Sequence, residues 1–334
     1  MSTSFRGSLS TRVALLLPVV LLVGLLGVRV VRHVTDTPPR LTDRPPAAAG
    51  YFATLPPGSW RGLPDDRTCA GLVHRSMWEP RPDNNRPNHR MPVAARVHAA
   101  LALRPRAVHG AYPKRWDRWL LHRVTGHFTG TTDEVLQWAA CKWGLSDNLL
   151  RAIAARESGW YQYEVYPDGS CVSRSGCGDL FPKATKDSRV FCTMANRFTH
   201  SAPPYHRGRC PKTYSIVGVM SWQDPSWGPM KDNQNGTFPF NRDSTAFAVD
   251  YIGGFLRGCY EGWVTWLHHS GDYGPGNMRG CVGTWYDGAW FAPDARTYIN
   301  RVWRSQRERP WLEPGWSRRQ LPCSPTQGCP QAPS

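Results

Sequence analysis

The segment NLLRAIAARESGW, residues 148–160, combines the pattern of a buried helix with an acidic residue on its apolar side. Counting from Leu150, apolar residues follow at the third and fourth positions and Glu157 follows at the seventh. A helix would therefore carry all of them on one stripe, with the carboxylate pointing inward. Arg151 and Arg156 fall on the other sides of the helix, where charged side chains are expected.

The signals around this segment bound the helix closely. Ser146 and Asp147 supply a start, and Ser158-Gly159 supplies a stop directly after the glutamate. Two explanations fit a lone inward glutamate. It either forms a structural ion pair or loop hydrogen bond, or it is a general acid that keeps its proton because burial disfavours the charged form. The position in the last turn, where the helix dipole also opposes negative charge, favours the acid.

The composition restricts the classes of partner. The 334 residues carry a formal net charge of +16 and include 16 tryptophans and 30 prolines. A basic surface suits nucleic acid, an anionic membrane or an anionic polymer such as a cell-wall glycan, and tryptophan suits stacking on sugar rings. The sequence contains no zinc-finger, helix-turn-helix or RNA-recognition signature, so nucleic acid is not an expected partner.

The N-terminal region predicts export of the rest of the chain. The first segment, residues 1–12, is short and basic. It is followed by 16 uncharged, mostly apolar residues at positions 13–28. At about 1.5 Å per residue this segment is roughly 24 Å long, between a long signal peptide and a short membrane span. We expect residues 13–31 to be a membrane anchor or a signal segment, with the anchor favoured, and the domain to be extracytoplasmic.

All ten cysteines follow that hydrophobic segment, in an even number that is typical of disulfides in an exported protein. Cys171 and Cys177 are spaced to close a local loop, although the sequence does not determine the pairing. Because no C-x-x-C spacing occurs, we expect no metal, and no other cofactor is implied.

Periodicity changes along the chain and divides it into regions. Residues 32–92 are rich in proline and arginine, which predicts a partly extended linker, but Trp60, Cys69 and Trp78 suggest that its second half lies against the folded domain. A capping box from Thr131 to Glu134 opens a helical region without a convincing strand ladder, so the domain is predicted to be mainly α. The predicted regions are 1–12, the cytosolic N-terminus; 13–31, the anchor or signal; 32–92, the linker; 93–130, a helical extension; 131–312, the main domain; and 313–334, a proline-rich tail.

Several segments resemble one protein superfamily. GLSDNLLRAIAARESGW, residues 144–160, resembles the signature of the soluble lytic transglycosylases and goose-type lysozymes, a helix that ends in Glu-Ser-Gly. YSIVGVMSWQ, residues 214–223, resembles the second motif of that superfamily, and three later segments resemble its exported actinobacterial members in order. The resemblance covers about residues 131–303. It implies a mainly α, lysozyme-like domain with long disulfide-tied loops.

The resemblance also implies an activity, which is cleavage of the β-1,4 bond between N-acetylmuramic acid and N-acetylglucosamine in peptidoglycan. Glu157 corresponds to the single catalytic acid/base of the superfamily, and the substrate N-acetyl group replaces a second protein carboxylate. This differs from the two-carboxylate scheme of most glycosidases. Asp179, Asp224 and Asp250 therefore receive no role.

The same resemblance implies a set of substrate-binding residues. Where the superfamily usually has glutamine in its second motif, this chain has Ser221, with Gln223 two positions later, and the sequence does not decide which faces substrate. Trp285, Tyr286 and Trp290 either stack on sugar rings or pack in the core. The His268-His269 pair is not interpreted as a ligand pair, because adjacent histidines on one helix do not face the same way. The residues expected to bind glycan strands are Ser158, Gly218, Met220, Gln223 and Tyr298.

Two functions from different classes remain open at this point. One is a lytic transglycosylase or muramidase, favoured by the intact Glu-Ser-Gly. The other is a weakly active or inactive peptidoglycan-binding scaffold of the envelope on the same fold, favoured by the altered glutamine. The sequence determines neither the oligomeric state nor the choice between anhydro-forming and hydrolytic cleavage.

Overall fold

Helices with conventional end signals form most of the chain that the structure describes. A computed structural model describes residues 43–102, 119, 122–162, 186, 189–190, 193, 213–221 and 235–317. The α-helices are α1 (Asp66–Leu72), α2 (Asn85–Asn88), α3 (Ala94–Ala102), α4 (Thr132–Trp143), α5 (Asp147–Glu157), α6 (Phe240–Asp243), α7 (Thr245–Tyr260), α8 (Met278–Asp287) and α9 (Pro293–Glu308). Short 3-10 helices lie at Ser59–Gly62, Pro82–Asn84, Thr265–His269 and Pro310–Leu312.

The helix boundaries follow the signals in the sequence. Thr131 and Glu134 form the capping box of α4, and Gly144 closes that helix in the left-handed conformation. α5 ends at Glu157 and Ser158 is its C-cap, as the sequence predicts. The side chain of Ser244 caps the first turn of α7. Local capping chemistry therefore places the glutamate at the end of its helix.

The core forms where α4 and α7 pack together, because α4 is buried on every side and α7 on most of its surface. α5 packs on α4 and on α9, and α8 joins α7 to α9. The prediction of a mainly α domain is confirmed. Strand structure in the described residues is limited to an antiparallel hairpin of β1 (Thr213–Tyr214) and β2 (Val219–Met220), which the sequence analysis did not predict.

Residues 43–92 differ from the predicted partly extended linker. They include α1 and α2, and Cys69 is fully buried in a disulfide with Cys141 of α4. Trp78 is also buried, in contact with the ring of Trp160. The sequence analysis anticipated this packing from Cys69 and Trp78, whereas the proline and arginine content conceals the helices α1 and α2. At the other end Trp316, in the predicted tail, packs on Trp160 as well.

Buried charges are paired inside this core. Lys142 is 1% exposed and lies 2.7 Å from the Asp250 carboxylate and 2.6 Å from that of Asp66. The expectation that Arg151 faces solvent is wrong, since its side chain is 0% exposed and forms salt bridges to Asp133 of α4 and to Asp147. A buried guanidinium needs compensating charge, and here two carboxylates supply it.

The structure also bears on the compartment. Cys69–Cys141 and Cys259–Cys281 form disulfides, which is consistent with an oxidising, extracytoplasmic environment. Cys171 and Cys177, like residues 1–31, lie outside the described residues. Within the described part of the chain, no helix combines the length and the apolar composition needed to cross a membrane.

Glu79 is a titratable group that contacts Thr132, the first residue of α4. Its carboxylate accepts hydrogen bonds from the backbone N–H of Thr132 at 2.7 Å, the amide of Asn88 at 2.8 Å and the backbone N–H of Arg81 at 2.9 Å. Burial nevertheless raises the pKa of Glu79 to about 7, because lost hydration outweighs these hydrogen bonds. The folded chain therefore binds this proton more tightly than the unfolded chain does.

This shift predicts a pH-dependent stability. The contribution of Glu79 is fully present below its ordinary pKa of 4.5 and is lost as the pH rises through about 7. Relative to a Glu79→Gln variant, we expect the free energy of unfolding of the native chain to fall by up to about 3 kcal/mol from about pH 5 to about pH 8. Urea denaturation of both chains at several pH values measures this change. A difference in free energy of unfolding between the native chain and Glu79→Gln that does not vary with pH would contradict the raised pKa of Glu79.

Candidate active site

Glu157 lies at the junction of α5, α9 and the hairpin. It is the last residue of α5 and is partly exposed. Its Oε1 accepts a hydrogen bond from the hydroxyl of Tyr298, a residue of α9 that is 141 positions away in sequence. Tyr298 is 5% exposed, so this contact fixes one carboxylate oxygen from the buried side. The predicted acid and the predicted late tyrosine are therefore in direct contact.

Gly218 lies on the other side of the carboxylate. Its φ is +64°, and a Cβ added there would lie 2.9 Å from Oε2 of Glu157. A side chain at this position would both strain the backbone and displace the carboxylate. The glycine thus permits the close approach of the hairpin to the end of α5, and the second predicted motif meets the first at this point.

Three side chains fasten the turn that joins β1 to β2. The hydroxyl of Ser158 donates to the carbonyl of Ile216 at 3.0 Å. The backbone N–H of Ile216 donates to the side-chain carbonyl of Gln162 at 3.2 Å, and the indole of Trp285 donates to the carbonyl of Val217 at 3.1 Å. Ser158 is 2% exposed, so it orients the turn rather than meeting solvent.

Sequence reasoning missed the contribution of Gln162. Its amide donates to the carbonyls of Asn241 and Arg242, both at 3.0 Å, and its backbone N–H donates to Asn84 at 2.9 Å. Asn84 in turn donates to the carbonyl of Trp160 at 2.6 Å. These residues join three distant chain segments behind the site. Isolated polar residues with no periodicity gave no signal from which this network could be predicted.

The second motif contributes two further residues. Met220 is partly exposed, and its carbonyl accepts hydrogen bonds from Thr237 at 2.6 Å and Asn235 at 3.1 Å. Ser221 is 1% exposed and its hydroxyl accepts a hydrogen bond from Asn241 at 2.8 Å. Ser221 is therefore part of the interior. Gln223 lies outside the described residues.

The aromatic candidates separate by exposure. Tyr286 is 53% exposed and stacks on the ring of Tyr298, with centroids 4.4 Å apart and planes inclined by 7°. Trp285 instead packs on Phe255 in addition to holding the hairpin turn. Trp290 packs over Gly280, where an added Cβ would lie 2.2 Å from its ring. Tyr286 is the candidate that presents an open aromatic face next to the site.

Electrostatics keeps Tyr298 in its protonated form. Burial raises the pKa of Tyr298 well above its ordinary value, and the charge of Glu157 together with their hydrogen bond raises it further. The hydroxyl is therefore a constant donor to Oε1.

Other polar groups serve the fold. Asp250 is buried, bonded to Lys142 and to the indole of Trp143, so it is not available to a ligand. His268 is exposed, and its ring stacks on Tyr273. In the ranges that the structure describes, no three His, Cys, Asp or Glu side chains are grouped to hold a metal ion. Asp179 and Asp224 lie outside those ranges.

The arrangement suits proton transfer at a fixed point. One carboxylate oxygen is fixed by a buried donor and the other lies over a glycine, so the group has one orientation toward a ligand. No protein-family model, curated protein or solved structure matches the chain. The functional assignment therefore depends on these residues and on the sequence motifs.

The contact between Gly218 and Glu157 predicts a specific cost of substitution. We expect Gly218→Ala to reduce the free energy of unfolding by about 1 kcal/mol more than Gly288→Ala does, because the carboxylate must move off the added methyl group and out of its hydrogen bond with Tyr298. Gly288 is the matched control, because its φ is +74° and nothing lies within 4 Å of an added Cβ. Urea denaturation in the native chain and in a Glu157→Ala background measures the difference. If the carboxylate causes the extra destabilisation by Gly218→Ala, that extra destabilisation disappears in the Glu157→Ala background. The same extra destabilisation with and without the carboxylate would contradict the contact.

Proposed function

We propose that the chain is a peptidoglycan-cleaving lytic transglycosylase that acts on the β-1,4 bond between N-acetylmuramic acid and N-acetylglucosamine. Glu157 is the single acid/base, and the substrate N-acetyl group assists. The glycan strand contacts the surface around Gly218, Met220 and Tyr298, and Ser158 orients the hairpin. The resemblance adds Gln223 as a binding residue. The helical domain belongs, on this proposal, to the lysozyme-like fold.

One observation carries the proposal. The hydrogen bond from Tyr298 to Glu157 and the approach of Gly218 to the same carboxylate bring three separate motifs to one point. Each motif was singled out from the sequence by the same resemblance. The left-handed glycine at one oxygen and the buried tyrosine at the other place the carboxylate among residues that the resemblance assigns to the active site. This convergence supports the acid/base role.

The proposed chemistry uses the two oxygens differently. In this mechanism Tyr298 holds Oε1, and Oε2 carries the proton that is transferred to the glycosidic oxygen as the bond breaks. The carbonyl oxygen of the neighbouring N-acetyl group stabilises the cationic sugar. Deprotonated Glu157 then removes the proton of the muramic six-hydroxyl, which closes the anhydro ring, and the enzyme returns to its starting protonation state.

The mechanism needs no partner carboxylate. We place the enzyme outside the cytoplasm, attached to the membrane through residues 13–31 or released to the cell wall. The two disulfides support an exported domain. The formal net charge of +16 suits an anionic wall.

Replacing the acid should abolish turnover. We expect the native chain to release soluble anhydro-muropeptides from purified peptidoglycan, and Glu157→Gln to reduce the rate by at least about 1,000-fold, because the amide cannot transfer a proton. Mass spectrometry of the soluble fraction identifies the products. Glu308→Gln, an exposed change at the end of α9, is the matched control and should retain activity.

The other outcomes discriminate between functions. Products with a reducing end would indicate a hydrolytic muramidase. Peptidoglycan binding without product from either chain would favour the scaffold, and equal activity of the native chain and Glu157→Gln would remove Glu157 from the mechanism.

A further inference from the structure

Three arginines lie around the proposed acid. Arg156 directly precedes Glu157 at the end of α5, and it is partly exposed. Arg301 and Arg304 are exposed residues of α9, three and six positions after Tyr298. Since α5 and α9 pack against each other and meet at Tyr298, these arginines lie on the two helices that form this end of the site.

These charges repel one another, unlike the cations of the core. The pKa of Arg156 is lowered by burial first and then by the charge of Arg301, with Arg304 adding to the effect, while Tyr298 and Glu157 oppose it. The salt bridges found in the described ranges include none that joins these arginines to a carboxylate. Lys142, Arg151 and Arg257 are by contrast each paired with an acidic side chain. An unneutralised cluster beside a candidate active site is favourable for binding an anion.

The proposed substrate supplies such an anion next to the scissile bond. Each muramic residue carries a lactyl group that ends either in its own carboxylate or in a stem peptide with carboxylates. Guanidinium groups bind carboxylates through paired, charge-assisted hydrogen bonds. We propose that Arg156, Arg301 and Arg304 form a subsite for the carboxylates that muramic residues carry. This inference rests on the proposed function, and it makes the enzyme select muramic glycans over neutral ones.

Binding measurements on the full chain test the subsite. In a Glu157→Gln background, which prevents turnover, calorimetry compares three tetrasaccharides. These are the neutral N-acetylglucosamine oligomer, the alternating muramic oligomer with free lactyl carboxylates, and the same oligomer with stem peptides. We expect at least one charged oligomer to bind roughly tenfold more tightly than the neutral one. The charged oligomer with the greater advantage identifies the source of the carboxylate.

A second set of binding measurements compares two double variants of α9, one in the proposed subsite and one outside it. We expect Arg301→Gln/Arg304→Gln to abolish the advantage and to leave the affinity for the neutral oligomer unchanged. The control, Arg296→Gln/Arg307→Gln, makes the same change of net charge at exposed residues on the side of α9 opposite Tyr298, and it should keep the advantage. Raising the salt concentration should also weaken the binding of the charged oligomers more than that of the neutral one. This test needs no further substitution.

Each other result contradicts a different proposal. Equal affinities for neutral and charged oligomers, or an advantage that survives loss of Arg301 and Arg304, would overturn the subsite and leave the proposed function intact. Failure to bind any of the three oligomers by a folded protein would overturn both.

Discussion

The hydrogen bond between Tyr298 and Glu157 joins α9 to the last residue of α5, and the site is organised around it. For the hydroxyl to reach Oε1, α9 must lie along α5, and the last turn of α5 must end at the glutamate. The capping sequence Ser158-Gly159 fixes that end, and the apolar stripe of α9 places Tyr298 on its buried side. A change in the length or rotation of either helix would separate the two groups, because a helix turns by about 100° per residue.

The hairpin is the second requirement, and its small size makes it dependent on its surroundings. Two residues in each strand provide little ladder stability of their own. Buried polar contacts from Ser158, Gln162 and Trp285 supply the rest, because they fasten the backbone of the turn at Ile216 and Val217. Such a network specifies one position when every partner is present. Gly218 can therefore lie close to Oε2 without a side chain to guide it.

The sequence was sufficient to predict the features that depend on neighbouring residues. The capping box at Thr131 and the end of α5 are local, and the structure confirms them. The burial of Arg151 and the role of Gln162 depend on which distant segments meet, which helical periodicity does not encode. Arginine on the polar side of an isolated helix becomes interior when a further layer, residues 43–92, covers that side. Tyr286 was one of three equivalent aromatic candidates until its exposure distinguished it.

The central claim is that Tyr298 aligns the Glu157 carboxylate for proton transfer. The most direct test is the turnover of peptidoglycan by Tyr298→Phe, compared with Tyr286→Phe, which removes a hydroxyl from the ring stacked against it. The account predicts that Tyr298→Phe lowers kcat by about 10- to 100-fold with little change in KM, because a preorganised donor is lost. Tyr286→Phe should keep nearly full kcat. Equal kcat values for the two folded variants would contradict it.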